Sequence, residues 1–314
     1  MSPAPRIASL LPATTELVCA LGLEDALVGV SHECDHPPSV RARRALTSTR
    51  VVARGGSAEV DRDVRRLVER ALAVYAVDVD ALRETAPDVV LTQDLCAVCA
   101  VSLDDVRAAL AEVGLARTRV VSVAPLDLEG VLASFATVAA ALGVESAGER
   151  LIASLRARIE AVRVRSARLA RRAVLTIEWI EPTMVGGTWM PELVELAGGR
   201  ALAARAGERA PTLGRAELAA LAPDVVVVKP CGFDLERTRA ESAALARLLD
   251  GLRWPALERG EVWLADGNAF FNRPGPRIVE SLEILAACVH PTEFGDLARR
   301  HAGAFESLGT ASDP

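Results

Sequence analysis

Four cysteines stand where chemistry can use them. Cys34 lies in the run Ser31-His32-Glu33-Cys34-Asp35-His36-Pro37-Pro38, Cys96 and Cys99 form a Cys-x-x-Cys pair, and Cys231 follows Val-Val-Val-Val-Lys-Pro. Two sulfurs at that spacing can reach one metal, as in zinc sites and iron–sulfur clusters, and soft thiolates favour those over magnesium or calcium. If their loops converge, Cys34, Cys96, Cys99 and Cys231 are a metal-ligating set. His32, Glu33, Asp35 and His36 could then complete or support the shell. The plainer alternative is a group of hydrogen-bonded turns in which the small residues are incidental. Cys19 and Cys288 lie among apolar neighbours and read as core. A dithiol redox pair is a further reading of Cys96 and Cys99, but Gln93-Asp94-Leu95 separates the pair from the preceding strand, unlike a thioredoxin-type site.

These residues must be positioned by strands. Residues 86–99, APDVVLTQDLCAVC, return in residues 222–231 as APDVVVVKPC. Each copy has Pro-Asp, an apolar run rich in β-branched residues that reads as a strand buried on both faces, and a polar turn. In an open α/β sheet, ligands bind beyond the carboxyl ends of the strands. The first turn brings Gln93 and Asp94 to such an edge. Later strand ends would deliver Glu178, Trp179, Trp189, Phe233, Asn268, Phe271, Asn272 and Arg273. Aromatic side chains there suit a large flat ligand, although Trp179 and Trp189 read equally well as core. Asn268 and Asn272 can equally serve their own loop through backbone hydrogen bonds.

With 314 residues, the chain suits two domains of about 150 residues each. Its net charge of −6 argues against nucleic acid as the main partner. No apolar run of about 20 residues is present to insert in a membrane. The opening residues read as a strand over 6–11 running into a helix whose start a Thr hydroxyl would cap, and not as a secretory signal. That predicts a cytoplasmic protein with reduced thiols. Lys229 is the only lysine, which reads as a composition that favours arginine. Residues 127–172 contain few helix breakers and predict one long helix, kinked near Gly143–Gly148, whose arginines form a solvated face. The expected division is residues 1–126, the helix 127–172, and residues 173–314. Phosphate-cradling GxxxxGK[ST], dinucleotide-binding GxGxxG and the GxSxG nucleophile elbow are all absent.

The segments RIASLLPATTELVCALGLEDALVGVS, LRETAPDVVLTQ, LVELAGG and LGRAELAALAPDVVVV resemble the helical-backbone (class III) solute-binding proteins, closest to the vitamin B12- and siderophore-binding members. Within them, SHECDHPP, TQDLCAVCAV, KPCGFDLERT and DGNAFFNRPGPR resemble the branch identified as cobalamin-binding. The resemblance implies an α/β fold of two Rossmann-like lobes bridged by one long helix, with a small-molecule ligand held between them. It implies a cobalamin-like corrinoid or other metal-bearing cofactor, with His32 or His36 near the metal. The rival reading is a metalloenzyme on the same scaffold, with zinc or an iron–sulfur cluster on the four thiols and Glu33, Asp35 or Glu178 handling protons. Exported relatives dock on a permease through one acidic residue per lobe. Those positions are Asp80 and Ala216 here, and the missing second acid, beside Glu217, argues against docking.

Overall fold

The computed structural model describes residues 5–52, 55–70, 74–94 and 101–309. Cys96 and Cys99 lie outside the described residues. The chain divides into two compact units. One takes Met1–Arg54, Arg62–Pro125 and Glu129–Ser154, and the other takes Gly55–Asp61, Leu126–Leu128 and Leu155–Pro314.

In the first unit, β1 (Ile7–Ser9), β2 (Leu27–Val30), β5 (Val89–Gln93) and β6 (Arg119–Val123) form a parallel sheet in the order β2-β1-β5-β6. β3 (Thr47–Thr49) and β4 (Tyr75–Val77) pair antiparallel beside it. The helices are α1 (Pro12–Ala20), α3 (Val79–Thr85) and α4 (Leu103–Glu112), and α2 (Ser57–Glu69) begins in the second unit. The expected Thr cap of α1 is not made. The helix opens on Pro12, whose missing N–H suits a first helical position, and the hydroxyls of Thr14 and Thr15 turn to Ser9 instead.

The second unit is built on β7 (Arg172–Trp179), β10 (Val225–Val228) and β11 (Val262–Ala265), which run parallel. β9 (Gly199–Ala201) joins β7 in parallel, while β8 (Met184–Val185) and β12 (Phe305–Ser307) close the sheet antiparallel. Its helices include α7 (Met190–Leu196), α8 (Arg215–Ala219), α9 (Leu235–Ala240), α10 (Ser242–Leu249), α11 (Pro255–Glu258), α12 (Ile278–Val289) and α13 (Gly295–Arg300). The four valines of β10 are fully buried, as a central strand requires.

The internal repeat has a physical basis. Asp88 accepts the Arg6 amide at 2.8 Å, and Asp224 accepts the Ala173 amide at 2.9 Å. In each unit the Pro-Asp carboxylate thus satisfies the backbone at the start of the neighbouring strand, β1 or β7.

The span expected as one helix is two, α5 (Leu128–Leu142) and α6 (Glu145–Ser166). Gly143 adopts φ +71°, and Val144 N–H donates to Ala139 O at 2.9 Å, closing a glycine C-cap that ends α5. A Cβ on Gly148 would lie 2.5 Å from Ala139 Cβ, so glycine permits the two helices to approach. One boundary between the units falls inside the 22-residue α6, after Ser154.

Residues 55–61 belong to the second unit although they precede most of the first. Glu241 accepts both the Ser57 amide (2.8 Å) and its hydroxyl (2.6 Å), satisfying the amino terminus of α2.

Candidate functional site

Each unit gathers polar side chains at the carboxyl edge of its parallel strands. In the first, Ser9 at the end of β1 lies 2.7 Å from the Thr14 hydroxyl and accepts from Thr15 at 2.8 Å. The Thr15 hydroxyl is 3.0 Å from Cys34 Sγ. Cys34 is buried, and its sulfur is part of this hydroxyl network.

The turn after β2 carries His32 beside Thr47 of β3. Thr47 Oγ1 donates to Ser31 Oγ at 3.0 Å and accepts the His32 amide at 3.2 Å. His32 Nδ1 lies 2.8 Å from the same oxygen. A hydroxyl has one proton, and Thr47 spends it on Ser31. Nδ1 must therefore carry the hydrogen and donate, which leaves the lone pair on Nε2. The ring is on an exposed residue and has Tyr75 at 5.6 Å between centroids, while the Tyr75 hydroxyl donates to Glu33 at 3.0 Å. Partial desolvation of the ring, although the residue as a whole is exposed, pushes the His32 pKa down against the pull of Glu33.

Of the other residues expected here, Gln93 is buried at the end of β5, Asp94 is exposed beyond it, Asp35 is half-buried and His36 is exposed. Among the described residues no group of three or more His, Cys, Asp or Glu side chains is arranged to hold a metal.

The second unit centres on a residue that sequence reasoning passed over. Lys229, one position past β10, is fully buried, and its ammonium donates to Asn272 Oδ1 at 2.8 Å and Glu178 Oε2 at 3.2 Å. The Asn272 amide in turn donates to Lys229 O at 3.1 Å and Gly267 O at 2.9 Å. Those bonds determine which way the amide faces and use both its hydrogens. Gly267 is required there, because a Cβ would sit 2.1 Å from Pro230 O. The signal in the sequence was an ionisable residue closing a run of four valines; such a group is buried only with a partner.

The remaining expected contacts are spent inside this unit. Trp189, Phe233 and Phe271 are buried, and Trp189 Nε1 donates to Phe271 O at 2.8 Å. Phe233 lies under the Arg237 guanidinium, 3.7 Å from its centroid, and against the edge of Trp179 at 5.3 Å. The buried Arg273 donates to Asn268 Oδ1 at 2.9 Å. Asp266 accepts the amides of Asn268 and Ala269, and burial raises its pKa against their pull. Loop 266–277 is thus largely held together by the residues expected to face a ligand. Glu178 and Trp179 remain half-buried, and Cys231 is exposed.

Of the two positions expected for docking, Asp80 is exposed and pairs with Arg83, while beside Ala216 the Glu217 carboxylate accepts the Gly214 amide at 2.7 Å at the start of α8. No helix of the described residues is long and apolar enough to cross a membrane.

Solved structures share this arrangement. A periplasmic heme binding protein from Pseudomonas aeruginosa aligns with a TM-score of 0.68 and 20% identity, covering 92% of this chain and 94% of that one. The periplasmic vitamin B12 binding protein BtuF of Vibrio cholerae aligns at 0.63 and 18%, covering 95% and 99%. A possible iron-binding periplasmic solute-binding protein from Staphylococcus epidermidis aligns at 0.69 and 16%, covering 91% and 99%. At these identities the likeness is one of fold. No curated protein matches the sequence. The family described as periplasmic binding protein matches residues 7–268, which takes in both repeats, α5, α6 and the carboxyl edges of both sheets, and the chain belongs to that family.

Proposed function

We propose that this protein binds a metal-bearing macrocycle as cargo, a corrinoid of the cobalamin type. The observation that carries the reading is His32. Its Nδ1 hydrogen is committed to Thr47, and its Nε2 has no hydrogen-bond partner among the described residues. A neutral imidazole oriented through its second nitrogen is the ordinary form of a histidine metal ligand. A corrinoid or haem supplies a metal with an exchangeable axial position, and vitamin B12 and heme are the ligands of two of the fold neighbours. The residues present fit such a group. His32 offers the axial nitrogen, and Thr47 and Ser31 hold the ring. A cytoplasmic location is part of the proposal.

Spectral titration with aquocobalamin, dicyanocobinamide and haemin tests the reading. Saturable binding of a corrinoid, with an absorbance shift that His32→Ala removes, is expected. No binding of any corrinoid in large excess would overturn it, and binding of haemin alone would replace the corrinoid with a porphyrin.

A further inference from the structure

We infer that Glu178, held by Lys229 and Asn272, selects the ligand by its periphery, accepting amide N–H groups and turning carboxylates away. The inference rests on the corrinoid reading above and concerns the second unit taken by itself. The three residues come from the end of β7, the position after β10 and the loop after β11, so they converge at the carboxyl edge where ligands of such sheets bind.

The Lys229 side chain has no exposure, whereas that of Glu178 is 22% exposed. An ammonium without a counter-charge at such a site would be strongly destabilising, and Glu178 Oε2 supplies that charge. The pair is neutral overall, but it is not symmetric toward solvent. Lys229 is turned inward and spends donors on Glu178 and on Asn272, whose orientation its own two amide bonds impose. What faces outward is the carboxylate, and Oε1 has no hydrogen-bond partner among the described residues. A carboxylate only accepts.

Two guanidinium groups from the segments that follow β10 and β11 are engaged with other partners. Arg237 is stacked on Phe233 and donates to Gly55 O at 3.0 Å, and Arg273 is buried on Asn268. A corrin carries acetamide and propionamide side chains, which supply N–H donors. Haem propionates and hydrolysed corrin side chains bring a second acceptor and a like charge.

Binding of dicyanocobinamide, whose periphery is all amide, is compared with binding of dicyano-cobyrinic acid, the same ring with carboxylates. The wild-type protein should prefer the amide ring by roughly ten- to a hundredfold, the range of one hydrogen bond to a charged group. Glu178→Gln, and the double replacement Glu178→Gln with Lys229→Met, should each erase most of that preference while still binding the amide ring. The double variant removes the buried charge together with its partner, so it keeps the test sound if Glu178→Gln alone unfolds. Equal wild-type affinity for the two rings, or a preference unchanged in a folded variant, would overturn the inference and leave the corrinoid reading standing. Failure of the wild-type protein to bind either ring would overturn both.

Discussion

His32 Nδ1 and Thr47 Oγ1 are 2.8 Å apart, and because the Thr47 proton goes to Ser31, this contact decides which imidazole nitrogen keeps its lone pair. Thr47→Val preserves the shape of the side chain and removes the acceptor. Corrinoid affinity should fall about 10- to 100-fold, as for other partners that orient a metal-binding histidine. Nitrogen-15 NMR of the ring should show the Nδ1–H tautomer in the wild-type protein and a mixture in the variant. An unchanged tautomer would refute the assignment.

Asp88 and Asp224 perform one task in two units, each accepting an amide at the start of the adjacent strand. Replacing either with Ala should cost about 0.5–1.5 kcal/mol, measured by urea unfolding. The Asp224 variant should lose more, because Asp224 also accepts from Arg259 at 3.0 Å. The Ala173 amide and Arg259 hold its pKa below the usual carboxylate value against burial.

Glu283 of α12 is an acid-sensitive group that is itself buried. Burial pushes its pKa up, but hydrogen bonds from His301 and Arg158 and their charges outweigh burial and hold it at about 2. A carboxylate depressed in the folded state stabilises above its unfolded pKa of about 4.3. That stability is lost as the pH falls from there toward 2. Glu283→Gln should flatten this acid limb in a pH series of thermal unfolding. Arg158→Met, which leaves the carboxylate short of its partner, should cost on the order of 3 kcal/mol at neutral pH.

Gly267 is the narrowest point of the second cluster, since an added Cβ would lie 2.1 Å from Pro230 O and 2.5 Å from Lys229 O. These are backbone atoms and cannot rotate away. Gly267→Ala should cost about 1–3 kcal/mol in chemical unfolding. It should also weaken corrinoid binding by displacing the turn that carries Lys229. A variant as stable as the wild type would show that the turn has room.

Much of this molecule was legible in its residues. The apolar runs ending at Gln93 and Val228, the Pro-Asp repeat and the helices Val79–Thr85 and Ile278–Val289 follow from patterns of a few adjacent residues, because strand burial and helix periodicity are local properties. The break between α5 and α6 was half legible, since Gly143 was visible as a breaker but not as the end of one helix and the turn into another. The short strand Thr47-Ser48-Thr49 was not, because it has no apolar run and exists only through its pairing with residues 75–77.

The sequence by itself determined two α/β units with polar loops at the carboxyl ends of the strands. Only the tertiary structure decided which loop residues face outward. Hydrogen-bond partners up to 43 positions apart turn Asn272 inward onto Lys229. A contact 82 positions long commits Trp189 to Phe271. The lone lysine became the buried partner of Glu178 for the same reason: an ammonium can leave water only where distant segments bring it a charge and a hydrogen bond, and no local pattern records that meeting.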